Sequence, residues 1–256
     1  MTFAKKCRFA FTFPVHTARS VAYAVRSRTF ANGSPIVTRY GVALNSVDPI
    51  VSPLIRQKIV AGRYEFVEAA IASKLINPGD VVLELGAGLG FLSTYISKLV
   101  GAKGKVFTYE ADSATSGAAR DTIRRNQATN VEVVASAVVP GDVAEQRLSQ
   151  ERDFWIRSML PGQDGGSIEG STTVRTTRFG ALLNAHVPDV LVMDVEGLEY
   201  SLFTQQELPR SLRSVIVEIH AERLTSSQQR ECIRVLNAQD YVVTCNFGRE
   251  FGFSRR

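Results

Sequence analysis

The sequence is poor in cysteine, has a single tryptophan, and carries no acid in its first 47 residues. Three cysteines (Cys7, Cys232 and Cys245) are odd in number and widely spaced. That pattern excludes a disulfide framework and a zinc-type spacing, and it makes a reducing compartment the default. No uninterrupted apolar stretch approaches the roughly 20 residues of a membrane-spanning helix. Internal repeats and low-complexity tracts are lacking. With 45% hydrophobic and 21% charged residues, the composition excludes wholesale disorder, collagen and coiled coil. A chain of 256 residues can bury a large core without staples of any kind.

The missing acids locate the charge. Residues 1–47 hold seven Lys/Arg, and Asp48 is the first acid; the rest of the chain holds 23 Lys/Arg against 25 Asp/Glu. The net charge of +5 therefore belongs to an N-terminal arm, residues 1–40, and no specific nucleic-acid partner is expected for the body. The arm reads either as a basic extension lying on the body or on acidic partners, or as an organelle transit peptide. Pro14 and His16 break the apolar run that a secretory signal would need. A cytoplasmic location is the expectation, with organelle targeting as the alternative.

After the arm, residues 41–256 read as one α/β domain. Helical patterns cover about 51–61 and 64–76 and stop at Asn77-Pro78-Gly79-Asp80. Strand and helix then alternate: strands over Val81–Leu85, Lys105–Glu110, Val131–Ala135, Asp189–Asp194 and Ser214–His220, helices over about 90–100, 113–128, 197–207 and 225–238. Tyr241–Asn246 and Glu250–Ser254 form a final pair around a tight connection, which must be antiparallel. Apolar strands alternating with helices predict a mostly parallel sheet covered on both faces. The stretch from about 140 to 188 breaks the rhythm as an insertion. It holds the Phe154–Met159 apolar cluster, a Gly-rich run over 161–170 and the Thr-rich Thr172–Thr177, and it suits either an acceptor wall with a lid or a satellite core.

One turn carries the chemistry. Glu84-Leu85-Gly86-Ala87-Gly88-Leu89-Gly90 leaves a strand and opens a helix, where glycines permit sharp turning and close approach by a ligand. The helix start behind them offers free N–H groups. Glu110 ends the next strand, twenty residues beyond Gly90, where a carboxylate can accept from both ribose hydroxyls of a nucleoside. The G-x-G-x-G spacing and the acid Glu84 select against a pyrophosphate and for a donor bearing an ammonium and a sulfonium. S-adenosylmethionine (SAM) is that cofactor. An NAD(P)-dependent oxidoreductase on a Rossmann fold is the alternative, and a non-catalytic SAM-fold protein is a further one.

The segment Val81–Glu110 resembles motif I and the following acidic strand end of class I SAM-dependent methyltransferases. Met193-Asp194-Val195-Glu196-Gly197-Leu198-Glu199 is similar to the K-I-D-V-E-G-x-E signature of the FkbM methyltransferase family, Val217-Glu218-Ile219-His220 to its V-E-I-H strand, and Gly62-Arg63-Tyr64-Glu65 to its G-x-Y-E segment. The resemblance spans about residues 41–250. Met193 stands where Lys is common, and Glu84 where Asp is more usual. The resemblance implies a Rossmann-like seven-stranded sheet of order 3-2-1-4-5-7-6 with strand 7 antiparallel. It implies methyl transfer to an oxygen, often a hydroxyl of a sugar or other small natural product. It also implies a cofactor set: Glu84, Gly86, Ala87, Gly88 and Gly90 at the methionine end, Glu110 on the ribose, Ala111 and Asp112 beside the adenine, Ser136 and Ala137 along the adenine edge, and Asp194 near the sulfonium.

A hydroxyl acceptor must lose a proton, so a base near it is expected. Such groups sit beyond the carboxyl ends of the strands. His220 is the preferred base, with an ordinary pKa of about 6.5, and Asp194 and Glu196 complete the catalytic set. Glu199 reads as a helix-dipole partner and Glu218 as a neighbour. Tyr64 and Glu65 read either as a cover over the methionine end or as a helix-start cap. Phe91 and Tyr95 read as core, Cys232 and Cys245 as small buried hydrophobes, and His16 and His186 as non-functional. A metal is conceivable from Asp194, Glu196, Glu218 and His220, yet none is assigned, because these residues come from two strand ends without a tight ligand-spacing motif.

Overall fold

The computed structural model describes residues 35–142, 145–149 and 171–256. The segment before residue 35, including Cys7 and His16, lies outside the described residues, as do the Phe154–Met159 cluster and the 161–170 run. The strands are β1 (Ile36–Val37), β2 (Ala43–Leu44), β3 (Val81–Leu85), β4 (Lys105–Glu110), β5 (Val131–Ala135), β6 (Ala137–Val139), β7 (Glu145–Ser149), β8 (Ser171–Arg178), β9 (Val190–Met193), β10 (Ser214–Glu218), β11 (Tyr241–Phe247) and β12 (Glu250–Arg255). The helices are α1 (Pro53–Val60), α2 (Phe66–Leu75), α3 (Phe91–Val100), α4 (Ser113–Arg125), α5 (Phe179–His186), α6 (Glu199–Gln205) and α7 (Ser226–Ala238).

Seven strands form one sheet in the order β11-β12-β10-β9-β3-β4-β5. Counted along the chain within that sheet, the order is 3-2-1-4-5-7-6. The pairs among β10, β9, β3, β4 and β5 are parallel, and β12 is antiparallel to both its neighbours. Side chains alternate across the sheet with period two. Val82, Val106, Val190, Val192 and Ile216 face the layer of α1, α2 and α3. Leu83, Leu85, Leu191, Met193, Val215 and Val217 face the layer of α5, α6 and α7. Burial on both faces explains why β9 and β10 read as unbroken apolar runs.

Helix starts are specified locally. Asp112 caps α4 by accepting from Thr115 N at 2.7 Å. Thr225 and Gln228 form a reciprocal capping box on α7. Pro53 opens α1 behind the N-cap Ser52. Among the described residues, no helix is long and apolar enough to cross a membrane.

Several expectations are corrected. Residues 36–40 were placed in the arm, yet Ile36 and Thr38 are buried and Ile36–Val37 pairs with Ala43–Leu44. The Thr-rich stretch, expected to be irregular, is strand β8 (Ser171–Arg178). It pairs in parallel with β6 and antiparallel with β7 as a separate three-stranded sheet. The helix expected from Tyr64 begins at Phe66, because Glu65 takes a left-handed backbone (φ 46°) that cannot continue a helix. The strand expected to run to His220 ends at Glu218. Cys232 is buried as expected, whereas Cys245 is half-buried on the outer strand β11.

Candidate active site

A cavity of about 420 Å³ opens beyond the carboxyl ends of β3, β4, β9 and β10, within the range of small-ligand sites. Its floor is the turn after β3. Gly86 (φ +94°) donates its N–H to Tyr109 O at 2.8 Å, and a Cβ there would collide with the Asp194 carbonyl oxygen. Gly90 (φ +75°) lies against α4, where a Cβ would sit 2.8 Å from Ala119 O. These two glycines are thus required by main chain packed against them, and Gly86 and Gly88 are the turn glycines on the cavity wall.

Glu110, at the end of β4, grips this turn. Its Oε2 accepts from Gly88 N at 3.1 Å and its Oε1 from Asp112 N at 3.0 Å. Burial pushes its pKa up to about 7, against the opposing pull of the Asp112 and Gly88 amides. Ala111, Asp112, Ser136 and Ala137 continue the wall beside it. Ser136 ties the wall to both sheets, its N–H donating to Glu110 O at 2.9 Å and its Oγ sharing a 2.8 Å hydrogen bond with Thr177 Oγ1 of β8.

On the opposite side the cavity is acidic. Asp194 follows β9 and donates its N–H to Leu85 O at 2.8 Å. Glu196, two residues on, has a left-handed backbone (φ 50°), as Glu65 across the cavity does. Non-glycine residues held there are strained, and such strain gathers at functional sites. His220, 2% exposed, stands among these acids. Its Nδ1 is hydrogen-bonded to Oε1 of the fully buried Glu199 at 2.7 Å. Its Nε2 faces Asp194 Oδ1 and Glu196 Oε2, each at 3.4 Å, and Glu218 Oε1 at 3.6 Å. Arg249 Nε holds the same Glu218 oxygen at 2.6 Å.

Burial works against charging His220, but the Glu199 hydrogen bond and the charges of Asp194, Glu199 and Glu196 outweigh it and raise its pKa to about 10. Burial, with the Glu218 charge, pushes Asp194 well above the ordinary carboxylate range, although His220 pulls it back. Burial likewise raises Glu196 to about 7, with His220 opposing. The wall thus carries more acid than its own cations can balance.

The fold gathers Gly86, Gly88, Glu110, Ala111, Ser136, Ala137, Asp194, Glu196 and His220 around one cavity. Three residues of the expected cofactor set do not line it. Gly90 packs on Ala119, Ala87 is 1% exposed within the turn, and Glu84 shares the Val82 face of β3, under α3. There the Ser93 hydroxyl donates to Glu84 Oε2, and the Thr108 hydroxyl faces the same carboxylate from β4. Glu84 therefore lies behind the turn as a buried carboxyl group, out of the cavity. His220 departs from its expected ordinary pKa, because four acids surround it. Tyr64 lines the cavity and Glu65 does too, without a side-chain cap on α2. Sequence reasoning passed over Glu68, Arg249 and Glu250 on the same wall; each looks like an ordinary surface charge until the fold apposes α2 with the β11–β12 turn. His186 is structural, stacked on Phe107 and hydrogen-bonded to the Tyr109 hydroxyl at 2.9 Å. Phe91 is core, and Tyr95 is half-buried against it.

A parallel sheet whose first strand ends in a glycine turn, with an acid closing the second strand over it, defines a nucleoside-cofactor enzyme of the α/β class. The sequence profile of the Methyltransferase FkbM domain matches residues 81–243. The chain belongs to the FkbM family and is a SAM-dependent methyltransferase. No curated protein matches it. Among solved structures it is similar to a SAM-dependent O-methyltransferase from Thermotoga maritima (15% identity over 80% of this chain and 72% of that one, TM-score 0.45). It is also similar to a precorrin-6y C5,15-methyltransferase from Geobacter metallireducens (16% identity, 74% and 88% covered, TM-score 0.44). A third is fibrillarin from Aeropyrum pernix with natively bound S-adenosyl-L-methionine (13% identity, 73% and 72% covered, TM-score 0.42).

Proposed function

We propose that the chain methylates a hydroxyl oxygen of a small molecule, such as a sugar or another natural product. The observation that carries this reading is the position of Glu196 and Asp194 on the cavity shared by Gly86, Gly88 and Glu110. When bound, SAM supplies a methyl group on an already activated sulfonium leaving group. The chain's task is to align the acceptor oxygen with that methyl, at contacts of about 3–3.5 Å, and to keep water out.

Glu110 accepts from Gly88 and Asp112 with one oxygen each, and its remaining acceptor capacity would turn to the two hydroxyls of a ribose. Ala111, Ser136 and Ala137 would flank the adenine. The excess acid on the far wall favours the sulfonium and ammonium. Asp194 lies at the junction of turn and acid wall. His220, with its pKa near 10, is already protonated at neutral pH, so it serves as the cation that holds the acids together rather than as the base. Glu196, with a pKa of about 7, is the group matched to accept the hydroxyl proton. The run after β9, Asp194-Val195-Glu196-Gly197, differs from the Asn/Asp-Pro-Pro-aromatic run of amino-directed nucleic-acid methyltransferases, which supports an oxygen acceptor.

The test is incubation with methyl-labelled SAM and a panel of hydroxylated metabolites, with product mass analysis. Label in a new methyl ether supports the reading, and label confined to amines or carboxylates overturns it.

A further inference from the structure

We propose that His220 Nε2, Asp194 Oδ1 and Glu196 Oε2 form a binding site for one divalent cation at the mouth of the methyl-transfer cavity. The three atoms lie within 4.8 Å of one another, and the two from the imidazole nitrogen to the carboxylates are 3.4 Å. Neighbouring ligands of an octahedral ion stand about 3 Å apart, given metal–oxygen bonds of about 2.1 Å. Closing the triad on an ion would take a small contraction of these side chains and release of the Nε2 proton of His220 to solvent, leaving the nitrogen lone pair facing the ion.

Two further observations point to a ligand here. Asp194 Oδ1 is buried and accepts no hydrogen bond, a costly state for a carboxylate oxygen. The His220 ring is locked from behind, since Nδ1 is held at 2.7 Å by Glu199, whose side chain is fully buried. That lock aims Nε2 at Asp194 Oδ1, 3.4 Å away. A buried carboxylate holding the far nitrogen of a ligating histidine is the usual second layer of a metal site. Gly197 N donates to the same Glu199 oxygen at 3.1 Å, fixing the carboxylate in turn. One imidazole and two carboxylates form a borderline-hard donor set, suited to Mn²⁺ or Mg²⁺ rather than to a thiophilic metal. The other acid group, Glu68, Glu218 and Glu250, is less fit, because Arg249 already occupies Glu218.

This inference deepens the proposed function by naming what holds the acceptor. A cation in this triad would orient the acceptor's hydroxyl oxygens. Binding itself does not depend on the acceptor being a hydroxyl.

The test uses full-length protein stripped with chelator and titrated with Mn²⁺, followed by calorimetry and by the loss of the free-ion electron paramagnetic resonance signal. One Mn²⁺ per chain is expected. Its affinity should fall by about tenfold or more in Glu196→Gln and in His220→Ala, and it should persist in Glu250→Gln. SAM titration of each variant without metal checks folding and tests the methyltransferase reading separately. If His220→Ala does not fold, Glu196→Gln decides, because its side chain is at the cavity surface. Absence of Mn²⁺ binding overturns the site. So does equal binding by wild type and Glu196→Gln, or loss of binding in Glu250→Gln alone.

Discussion

Glu84→Gln isolates the cost of the charge behind the turn. Glu84 is fully buried, and burial raises its pKa from 4.5 to about 7 despite the Ser93 hydroxyl. A shift of about 2.5 units at 1.36 kcal/mol each amounts to about 3 kcal/mol. The raised value means that the folded chain keeps a proton the unfolded chain releases as pH rises from 4.5. Stability therefore falls as pH climbs from about 4.5 to about 7, and the loss is complete above that window. Glutamine keeps the shape and an acceptor for Ser93 but never ionises. Urea or thermal unfolding should find Glu84→Gln more stable than wild type by about 3 kcal/mol at pH 8, roughly 5–10 °C in Tm. The gap should narrow to about 1 kcal/mol at pH 5. At pH 8 the SAM-induced rise in Tm should be smaller in the variant, since a negative charge behind the proposed cation site is lost. A gap of the same size at both pH values, or no gap at pH 8, refutes the assignment of a costly buried carboxylate.

Three further outcomes are expected. Glu110→Ala should weaken SAM binding by roughly 1–3 kcal/mol, and unchanged affinity by calorimetry would remove Glu110 from the ribose. Glu196→Gln should lower kcat by about 10²-fold or more with little change in SAM affinity, a split that an altered fold would not produce. Gly86→Ala, forced to place a methyl group on the Asp194 carbonyl at positive φ, should cost about 3 kcal/mol or more, read as a lower urea midpoint; a midpoint equal to wild type would show that the turn can relax.

The sheet was legible because its strands are short apolar runs between helical patterns, and each run became a strand in the body of the fold. That Glu110, Asp194, Glu196 and His220 would meet at one cavity was legible for a related reason. An acid or histidine ending an apolar strand has few places to go except the sheet's carboxyl edge. Other features escaped detection for identifiable reasons. Ser171–Arg178 lacks apolar alternation, because β8 pairs in a small separate sheet rather than in the apolar centre, so its strand character was hidden. Glu84 was expected at the ligand, yet period-two alternation puts it on the Val82 face; sequence gives that parity without saying which face carries α3. The pKa of His220 depends on Asp194, Glu196 and Glu199, which follow β9 while His220 follows β10, and only the fold brings the two strand ends together. Glu68 and Glu250 carry no local signal, since they meet the site only where α2 passes the β11–β12 turn.

The contact of Gly86 with Asp194 has a consequence for how this enzyme can change. On the proposed reading, the loop that would cradle the donor and the residue that would begin the acceptor's side are joined through main chain, by the 2.8 Å bond from Asp194 N to Leu85 O and by an abutment with no room for a methyl. The span across which the methyl group would travel on that reading is set by the backbone and insulated from side-chain drift. Residues that recognise new acceptors can be exchanged around the rim while the stroke of the reaction keeps its length, provided position 86 stays glycine.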